Sequence, residues 1–365
     1  MKIEFQLQDF LREHGFDKHG VINTLAAEMG TTRQNVSRMY NGRAKKISLD
    51  HLGKLCTWLV DKHKVNPNRL PGALFNCQRA SLWEAIRRHS DKTTIYLGEY
   101  LSVKGPKIIW RWISRRDSEV ASAVVQALSS NPEGLSNTGI NIKYVPLRYS
   151  PELLDVDEQV LKQDIRRTEV IYKKLRGGSD PVTAIFIGSQ KVNHLLEYFV
   201  ADLFDCRPFI IGSGQVGVPF YYIYRESDQK IPSCFGGTHN PAVTRNKSKP
   251  GIHYINKAGK WSIAPWVQGQ QDSGIVISLK DNNDHFMALS IFGFTGRATQ
   301  AIGERLDAWA ENFWPPTALI KSKEIGIYIC KLQYAPEKAD DDQGRIELNS
   351  FDILPLSKQT IKRFV

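Results

Sequence analysis

The sequence predicts an α/β protein that begins with an all-helical domain. Helical periodicity of apolar residues dominates the N-terminal part, strand-length apolar runs then alternate with longer helical stretches, and strand-like segments outnumber helices after Gly212. We expect a helical domain at 1–65, a linker with a short helix at 66–92, and an α/β domain at 93–365, with a possible division near 213.

Residues 25–42 carry the signals of two helices joined by a tight turn. The first helix is predicted to end at Met29, Gly30 supplies the turn, and Thr32 caps the second helix, which Gly42 stops. This spacing is typical of a helix-turn-helix that enters the major groove of DNA.

The outer face of the second helix is predicted to contact double-stranded DNA. Residues 1–92 hold 16 Lys and Arg against 9 Asp and Glu, so seven of the chain's eleven net positive charges lie there. A helical hairpin that only packs or dimerises is the alternative, but the turn residues favour DNA binding. The candidate contacts are Thr32, Arg33, Gln34, Asn35, Ser37, Arg38, Arg43, Lys45 and Lys46.

Residues 25–42, followed by 48–55, resemble the Cro/CI repressor (XRE-type) helix-turn-helix family. The resemblance implies a small all-helical domain whose recognition helix, about 32–40, lies in the major groove as one half of a homodimer on a pseudo-palindromic site. Gln34 matches the polar residue that this family commonly places at the start of that helix. Residues 16–21 depart from the pattern, because they lack the usual short polar entry. The α/β part resembles no family in the same way.

The remaining elements follow from periodicity. Helices are predicted at 48–61, with Ser48 as cap, and at 81–89, with Pro67 and Pro71 marking the boundary between them. Alternating strands and helices predict a mainly parallel sheet flanked by helices, more strand-rich toward the C-terminus. The strands are 94–100, 140–146, 182–187, 208–211, 220–224, 252–255, 260–265, 274–279, 286–292, 326–333 and 345–353, and the helices are 118–129, 157–175, 192–204 and 298–313.

Two junctions between a strand and a helix are candidate sites for a small anionic or nucleotide-like ligand. Each follows an apolar strand with glycine and hydroxyl residues and then opens a helix, whose first N–H groups favour anions. Ordinary strand-to-helix turns are the alternative. The candidate residues are Gly188, Ser189 and Asn193 at the first junction and Gly293, Thr295, Gly296, Arg297 and Thr299 at the second.

An enzyme is the alternative class of function. His194 and Glu197 are three residues apart on one predicted helix, and a carboxylate beside a ligand could cleave the glycosidic bond of a nucleotide or nucleoside. A solvated pair explains the spacing equally well, so no catalytic residue is assigned. A third possibility is an architectural module whose α/β part only oligomerises. His239 lies between turn residues, which favours a surface loop. The long loop 226–249 is interpreted as a lid or a binding loop.

Several classes of function have no support in the composition. No histidines fall in His-x-x-x-His or His-Glu-x-x-His spacing, and the five cysteines are widely spaced with no Cys-x-x-Cys pair, so we expect no metal and no cofactor. No run of eighteen apolar residues suggests a membrane span, and the N-terminus lacks the pattern of a secretion signal. We therefore expect a cytoplasmic DNA-binding transcriptional regulator with no membrane partner.

Overall fold

The chain divides into two compact units, Met1–Ala80 and Ser81–Val365. The predicted domain boundaries at 65 and 93 stay predictions, as does a division near 213. A computed structural model describes residues 2–5, 7–44, 46–65, 67, 70, 74–78, 81–104, 107–130, 139–148, 157–210, 217–228, 231–236, 249–335 and 347–365. Lys45, His239, Gly212 and parts of the segments 66–92 and 226–249 lie outside the described residues.

The first unit is a helical bundle closed by a two-stranded antiparallel sheet. Its elements are β1 (Lys2–Phe5), α1 (Leu7–Glu13), α2 (Val21–Met29), α3 (Arg33–Tyr40), α4 (Leu49–His63) and β2 (Phe75–Gln78). The expectation of an all-helical domain is therefore wrong in one respect, because β1 pairs with β2. Residues 2–5 alternate polar and apolar types, which is the period of a strand.

The core of the first unit joins all four helices. Leu25, Met29 and Val36 are fully buried or nearly so, which fixes the crossing of α2 and α3. On α4 the buried side chains include Leu55, whereas Leu49 is 86% exposed. Leu49 is the first residue of α4 and lies outside the buried core of the bundle.

The second unit contains a nine-stranded mixed sheet and a separate three-stranded antiparallel sheet. The strands are β3 (Lys92–Lys104), β4 (Lys107–Trp112), β5 (Gly139–Leu147), β6 (Val182–Ile187), β7 (Phe220–Ile223), β8 (Gly251–Ile255), β9 (Trp261–Pro265), β10 (Gln271–Asp281), β11 (Phe286–Gly293), β12 (Ala318–Ile320), β13 (Lys323–Tyr334) and β14 (Leu348–Pro355). The order of neighbouring strands in the large sheet is β12, β13, β10, β11, β6, β3 and β4, and in addition β14 pairs with β13 and β5 pairs with β3. The small sheet consists of β7, β8 and β9.

The large sheet is mostly antiparallel, so the expectation of a mainly parallel sheet is wrong. Only the pairs β3–β5, β3–β6 and β6–β11 are parallel. Strands β3, β5 and β6 belong to the part of the chain in which strands alternate with helices, whereas β11 does not. Strands β10 and β11, and β12 and β13, are joined by short turns, and a short turn can only join antiparallel neighbours. The strand-rich part of the chain toward the C-terminus therefore forms antiparallel hairpins.

Helices cover both faces of the large sheet. They are α5 (Leu82–His89), α6 (Arg115–Ser129), α7 (Glu158–Arg176), α8 (His194–Leu203), α9 (Gly296–Gly303) and α10 (Lys358–Phe364), with a 3-10 turn at Ala310–Phe313. The predicted helix 298–313 is therefore two elements, the end of α9 and the 3-10 turn at Ala310–Phe313. Residues 208–210 of the predicted strand 208–211 form a turn and the residue after it. Residue 211 is not described.

The alternation along β6 assigns each helix to a face. Ala184 and Phe186 share a core with α8, whereas Ile185 and Ile187 share the other core with α6 and α9. Because successive side chains of a strand point to opposite faces, α8 and α9 lie on opposite sides of the sheet.

Candidate functional site

The turn between α2 and α3 has the geometry that the sequence predicts. Gly30 ends α2 in the left-handed region, with φ of 63°, which glycine adopts at no steric cost. The Thr32 hydroxyl then accepts a hydrogen bond from the Asn35 backbone N–H at 3.2 Å and caps α3. The start of the predicted recognition helix is therefore fixed by local hydrogen bonds.

The outer face of α3 is exposed and polar. Arg33, Gln34, Asn35 and Arg38 are exposed while Val36 is buried, so the predicted donors point away from the core. Ser37 is half-buried, and its carbonyl accepts a hydrogen bond from the Asn41 side-chain amide at 2.7 Å. This bond stabilises the end of α3, and Ser37 therefore contributes to the helix as well as to its polar face.

A basic groove runs from α3 to the start of α4. It has a volume of about 650 Å³ and includes four residues that the sequence-based prediction missed, Met39, Ala44, Ile47 and His51. No ion pair neutralises Arg38, Arg43 or Lys46 within the residues that the structure describes, so their charges are available to phosphates. The groove is lined by Asn35, Arg38, Met39, Arg43, Ala44, Lys46, Ile47 and His51.

The same segment matches a known family. The model of the Cro/C1-type HTH DNA-binding domain matches residues 7–59. Residues 7–59 are a Cro/C1-type helix-turn-helix domain. The match covers α1 to α4 as far as Leu59, and it supports a DNA-binding regulator. No curated protein and no solved structure matches the chain.

In the second unit, both predicted ligand junctions lie at the same edge of the sheet. Ile187 pairs with Ile291 in the parallel ladder of β6 and β11, and the Gly188 N–H donates to the Ile291 carbonyl at 3.1 Å. After this edge the chain leads to α8 on one face and to α9 on the other. Adjacent parallel strands that leave toward opposite faces open a crevice at their carboxyl ends, where ligands of α/β proteins commonly bind.

The junction after β6 is a turn of six residues, 188–193, rather than a direct entry into a helix. Gly188 has φ of 95°, and α8 begins only at His194. Asn193 is buried, and its side-chain amide donates to the carbonyls of Tyr96 at 2.9 Å and Ile187 at 3.0 Å. Its side-chain oxygen caps α8. The amide of Asn193 therefore ties the turn to two strands.

A glycine on the neighbouring strand lets this turn approach the sheet. A β-carbon at Gly98 would lie 1.4 Å from the Val192 carbonyl oxygen, which no side chain can tolerate. The turn 188–193 therefore lies directly over β3.

The junction after β11 is tied to a buried carboxylate. Thr295 caps α9 and its hydroxyl also donates to the Asp272 carboxylate at 2.5 Å. The Tyr334 hydroxyl donates to the same carboxylate at 3.1 Å, and the Arg297 guanidinium stacks on the Tyr334 ring at 4.0 Å. Burial raises the pKa of Asp272 to about 6, although these hydrogen bonds act against the shift.

The other residues of the junction after β11 shape the turn. The Gly293 N–H donates to the Thr299 hydroxyl at 2.9 Å, and a β-carbon at Gly293 would lie 2.4 Å from the Thr299 backbone nitrogen. Gly296 opens α9, where the first N–H groups have no intrahelical acceptor. Gly293 and Thr299 thus fix the backbone, whereas Gly296 and Arg297 present donors at the edge.

The sequence-based prediction missed charged residues beside both junctions. Lys191 forms an ion pair with the Asp228 carboxylate at 3.2 Å, and Arg225 pairs with Asp228 at 2.6 Å. Burial lowers the pKa of Lys191, although Asp228 acts against the shift. Arg116 and Asp117, in the first turn of α6, lie against Gly296 and Gly188 respectively. The positions of Arg116 and Asp117 depend on the packing of α6. That packing cannot be predicted from the spacing of residues in the sequence.

His194 and Glu197 do not form an exposed pair. Both are fully buried, and the Glu197 carboxylate accepts hydrogen bonds from the backbone N–H groups of Phe209 and Cys234, each at 2.7 Å, and from the Ser233 hydroxyl at 2.6 Å. Burial raises the pKa of Glu197 and lowers that of His194 to about 3, so the imidazole is neutral. Glu197 ties two loops to α8, and nothing observed supports the alternative of glycosidic-bond cleavage.

The described residues contain no candidate metal site and no candidate membrane span. No group of three or more His, Cys, Asp and Glu side chains is placed to hold a metal ion within the described ranges. Among the helices of this part of the chain, none is both long and apolar enough to cross a membrane.

The bonding of Glu197 generates a stability prediction. Glu197→Gln should lower the free energy of unfolding by about 1–3 kcal/mol, because the side-chain NH2 group of glutamine would face donors whose hydrogen bonds the carboxylate accepts. Urea titration followed by circular dichroism measures this. The control is Glu158→Gln, an exposed residue paired only with Lys162, which should stay within about 0.5 kcal/mol of wild type. An equally small effect of Glu197→Gln would contradict the assigned contacts.

Proposed function

We propose that the protein is a sequence-specific transcriptional regulator, in which the helix-turn-helix domain reads DNA and the second unit senses a small anionic or nucleotide-like ligand. The observation that carries the DNA-binding part is the exposed polar face of α3 beside a basic groove. The family match supports the same conclusion. Ligand sensing rests on the paired junctions at the ends of β6 and β11.

The residues of α3 divide into two roles. Arg33, Gln34 and Arg38 lie on the exposed face of the helix that enters the major groove in this class of domain, so we assign them to base edges and to the phosphates beside them. Arg43 and Lys46 follow the helix and suit phosphates. Lys45, between them in sequence, is assigned the same role. A homodimer on a pseudo-palindromic site is the arrangement we expect, with the protein acting as a repressor.

Substitution on α3 tests the DNA-binding assignment. A preferred site would first be selected from random duplexes, and affinities would then be measured by fluorescence anisotropy at several salt concentrations. Arg33→Ala, Gln34→Ala and Arg38→Ala should each weaken binding by about 1–3 kcal/mol and relax discrimination between sites. Lys45→Ala should instead weaken binding to all sequences alike and make the salt slope shallower by about one unit.

A matched control is Lys62→Ala, whose ammonium pairs with Glu28 at 3.2 Å on the other helices of the domain. It should leave discrimination unchanged. If the full chain shows no salt-dependent DNA binding, or if the α3 variants bind as wild type does, the proposed function is wrong.

The ligand-sensing part is supported by the geometry of the sheet edge. Two turns from adjacent parallel strands meet there, a helix begins at Gly296, and three cationic side chains lie beside the turns, at Arg116, Lys191 and Arg297. Arg297 and Arg116 are the candidates for an anion, because Arg297 lies in the first turn of α9 and Arg116 lies against Gly296 at the start of that helix.

Thermal-shift screening of the full chain with nucleotides and related anions tests this part. A ligand at a hundred times its dissociation constant adds about 2.7 kcal/mol to stability. Arg297→Ala should abolish the shift and lower the unliganded melting temperature by only a few degrees, because a cation–π contact contributes about 0.5–1 kcal/mol. Arg166→Ala, an exposed arginine on α7, should behave as wild type. A shift that persists in Arg297→Ala would contradict the assigned site.

A further inference from the structure

Asp117 is a buried acidic residue whose carboxylate accepts no hydrogen bond from the described part of the chain. Its side chain lies in the first turn of α6 and the residue is 3% exposed. Within the residues that the structure describes, no side-chain or backbone donor reaches its carboxylate, and only the backbone N–H of Asp117 is bonded locally, donating to the Ser114 hydroxyl. Buried carboxylates are usually paired, because enclosing one without a partner removes its solvation. The oxygens of Asp117 are not among the fully enclosed unpaired atoms of the described residues, so they border accessible space.

The carboxylate of Asp117 faces the first ligand junction. A β-carbon at Gly188 would lie 3.0 Å from Asp117 Oδ2, so the carboxylate occupies the space that a side chain at Gly188 would need. Burial raises the pKa of Asp117 to about 7, and the neighbouring Arg116 charge only partly opposes this. The group is therefore held at the end of β6 at a cost in stability.

The preceding residue faces the second junction. A β-carbon at Gly296 would lie 3.4 Å from Arg116 Cδ, which places the Arg116 side chain along the N-terminus of α9. Arg116 is exposed and forms no ion pair within the described ranges. The first turn of α6 thus presents an acceptor to one junction and a cation to the other, beside a helix N-terminus that favours negative charge.

We propose that this crevice binds a phosphorylated sugar, free or as part of a nucleotide, with its hydroxyl groups donating to Asp117 and its phosphate on Arg116 and the N-terminus of α9. The inference rests on the proposed sensing function and names its ligand class. A bare inorganic anion fits less well, because Asp117 would repel it. A metal ion fits less well too, since among the described residues Asp117 belongs to no group of three or more His, Cys, Asp and Glu side chains that could hold one.

The experiment compares ligands that differ by one chemical group. Thermal shifts and dissociation constants of the full chain would be measured with ribose 5-phosphate, adenosine 5′-monophosphate, its 2′,3′-dideoxy analogue, adenosine and inorganic phosphate. Ribose 5-phosphate or adenosine 5′-monophosphate should bind at least about tenfold more tightly than the dideoxy analogue and than phosphate, because lost hydrogen bonds to a charged group cost about that much. Tight binding of ribose 5-phosphate indicates a sugar phosphate, whereas a preference for the monophosphate indicates a nucleotide.

Two variants test which part of the ligand Asp117 and Arg116 contact. Asp117→Asn should remove most of the advantage of the hydroxylated ligand while leaving the unliganded melting temperature equal or higher, because a buried unpaired charge is lost. Arg116→Ala should weaken all phosphorylated ligands by about tenfold or more. Asp180→Asn, at an exposed position, is the matched control. The dideoxy analogue tests the same contact on the wild-type chain if Asp117→Asn fails to fold.

The outcomes separate the two proposals. Equal binding of hydroxylated and dideoxy ligands, or full discrimination in Asp117→Asn, would overturn the assignment to a phosphorylated sugar. If an anion without hydroxyl groups binds tightly in the wider screen and requires Arg297, sensing survives and only the ligand class is wrong. Absence of any shift in both experiments would overturn both proposals.

Discussion

The parallel pairing of β6 with β11 is the constraint on which the candidate ligand site depends. The register that opposes Ile187 to Ile291 ends both strands at the same edge, and the hydrogen bond from Gly188 to Ile291 holds the two exits together. Because α8 and α9 then pack on opposite faces, the carboxyl ends of the two strands lie between them, which is where ligands of α/β proteins commonly bind. The absence of side chains at Gly188 and Gly296 admits the first turn of α6 to this edge.

The buried polar groups of the second unit fall into two kinds. Glu197 and Asp272 each accept several hydrogen bonds that connect loops or strands distant in sequence, and these bonds offset part of the cost of burying the carboxylates. Asp117 accepts none within the described part of the chain, and its burial costs stability. This contrast separates residues that build the domain from a residue that is held ready for a partner.

Local signals predicted the DNA-binding domain well, because caps and turns at Gly30 and Thr32 are decided by a few neighbouring residues. The sheet was predicted less well, since whether β10 and β13 pair parallel or antiparallel depends on long-range register. The two ligand junctions were located correctly at strand ends, although their role in binding stays a prediction. Asp117 could not be found, because its sequence context, Ser114 followed three residues later by an acid, is that of an ordinary helix start.

Coupling between the two units is the central claim, and the DNA affinity of the full chain with and without ligand measures it most directly. The affinity for the selected site would be determined at saturating concentration of the ligand that gives the largest thermal shift, and in its absence. A regulator that senses this ligand should change its affinity by at least about fivefold, in either direction, because allosteric coupling energies are typically 1–3 kcal/mol. An unchanged affinity while the second unit is fully occupied would contradict the account.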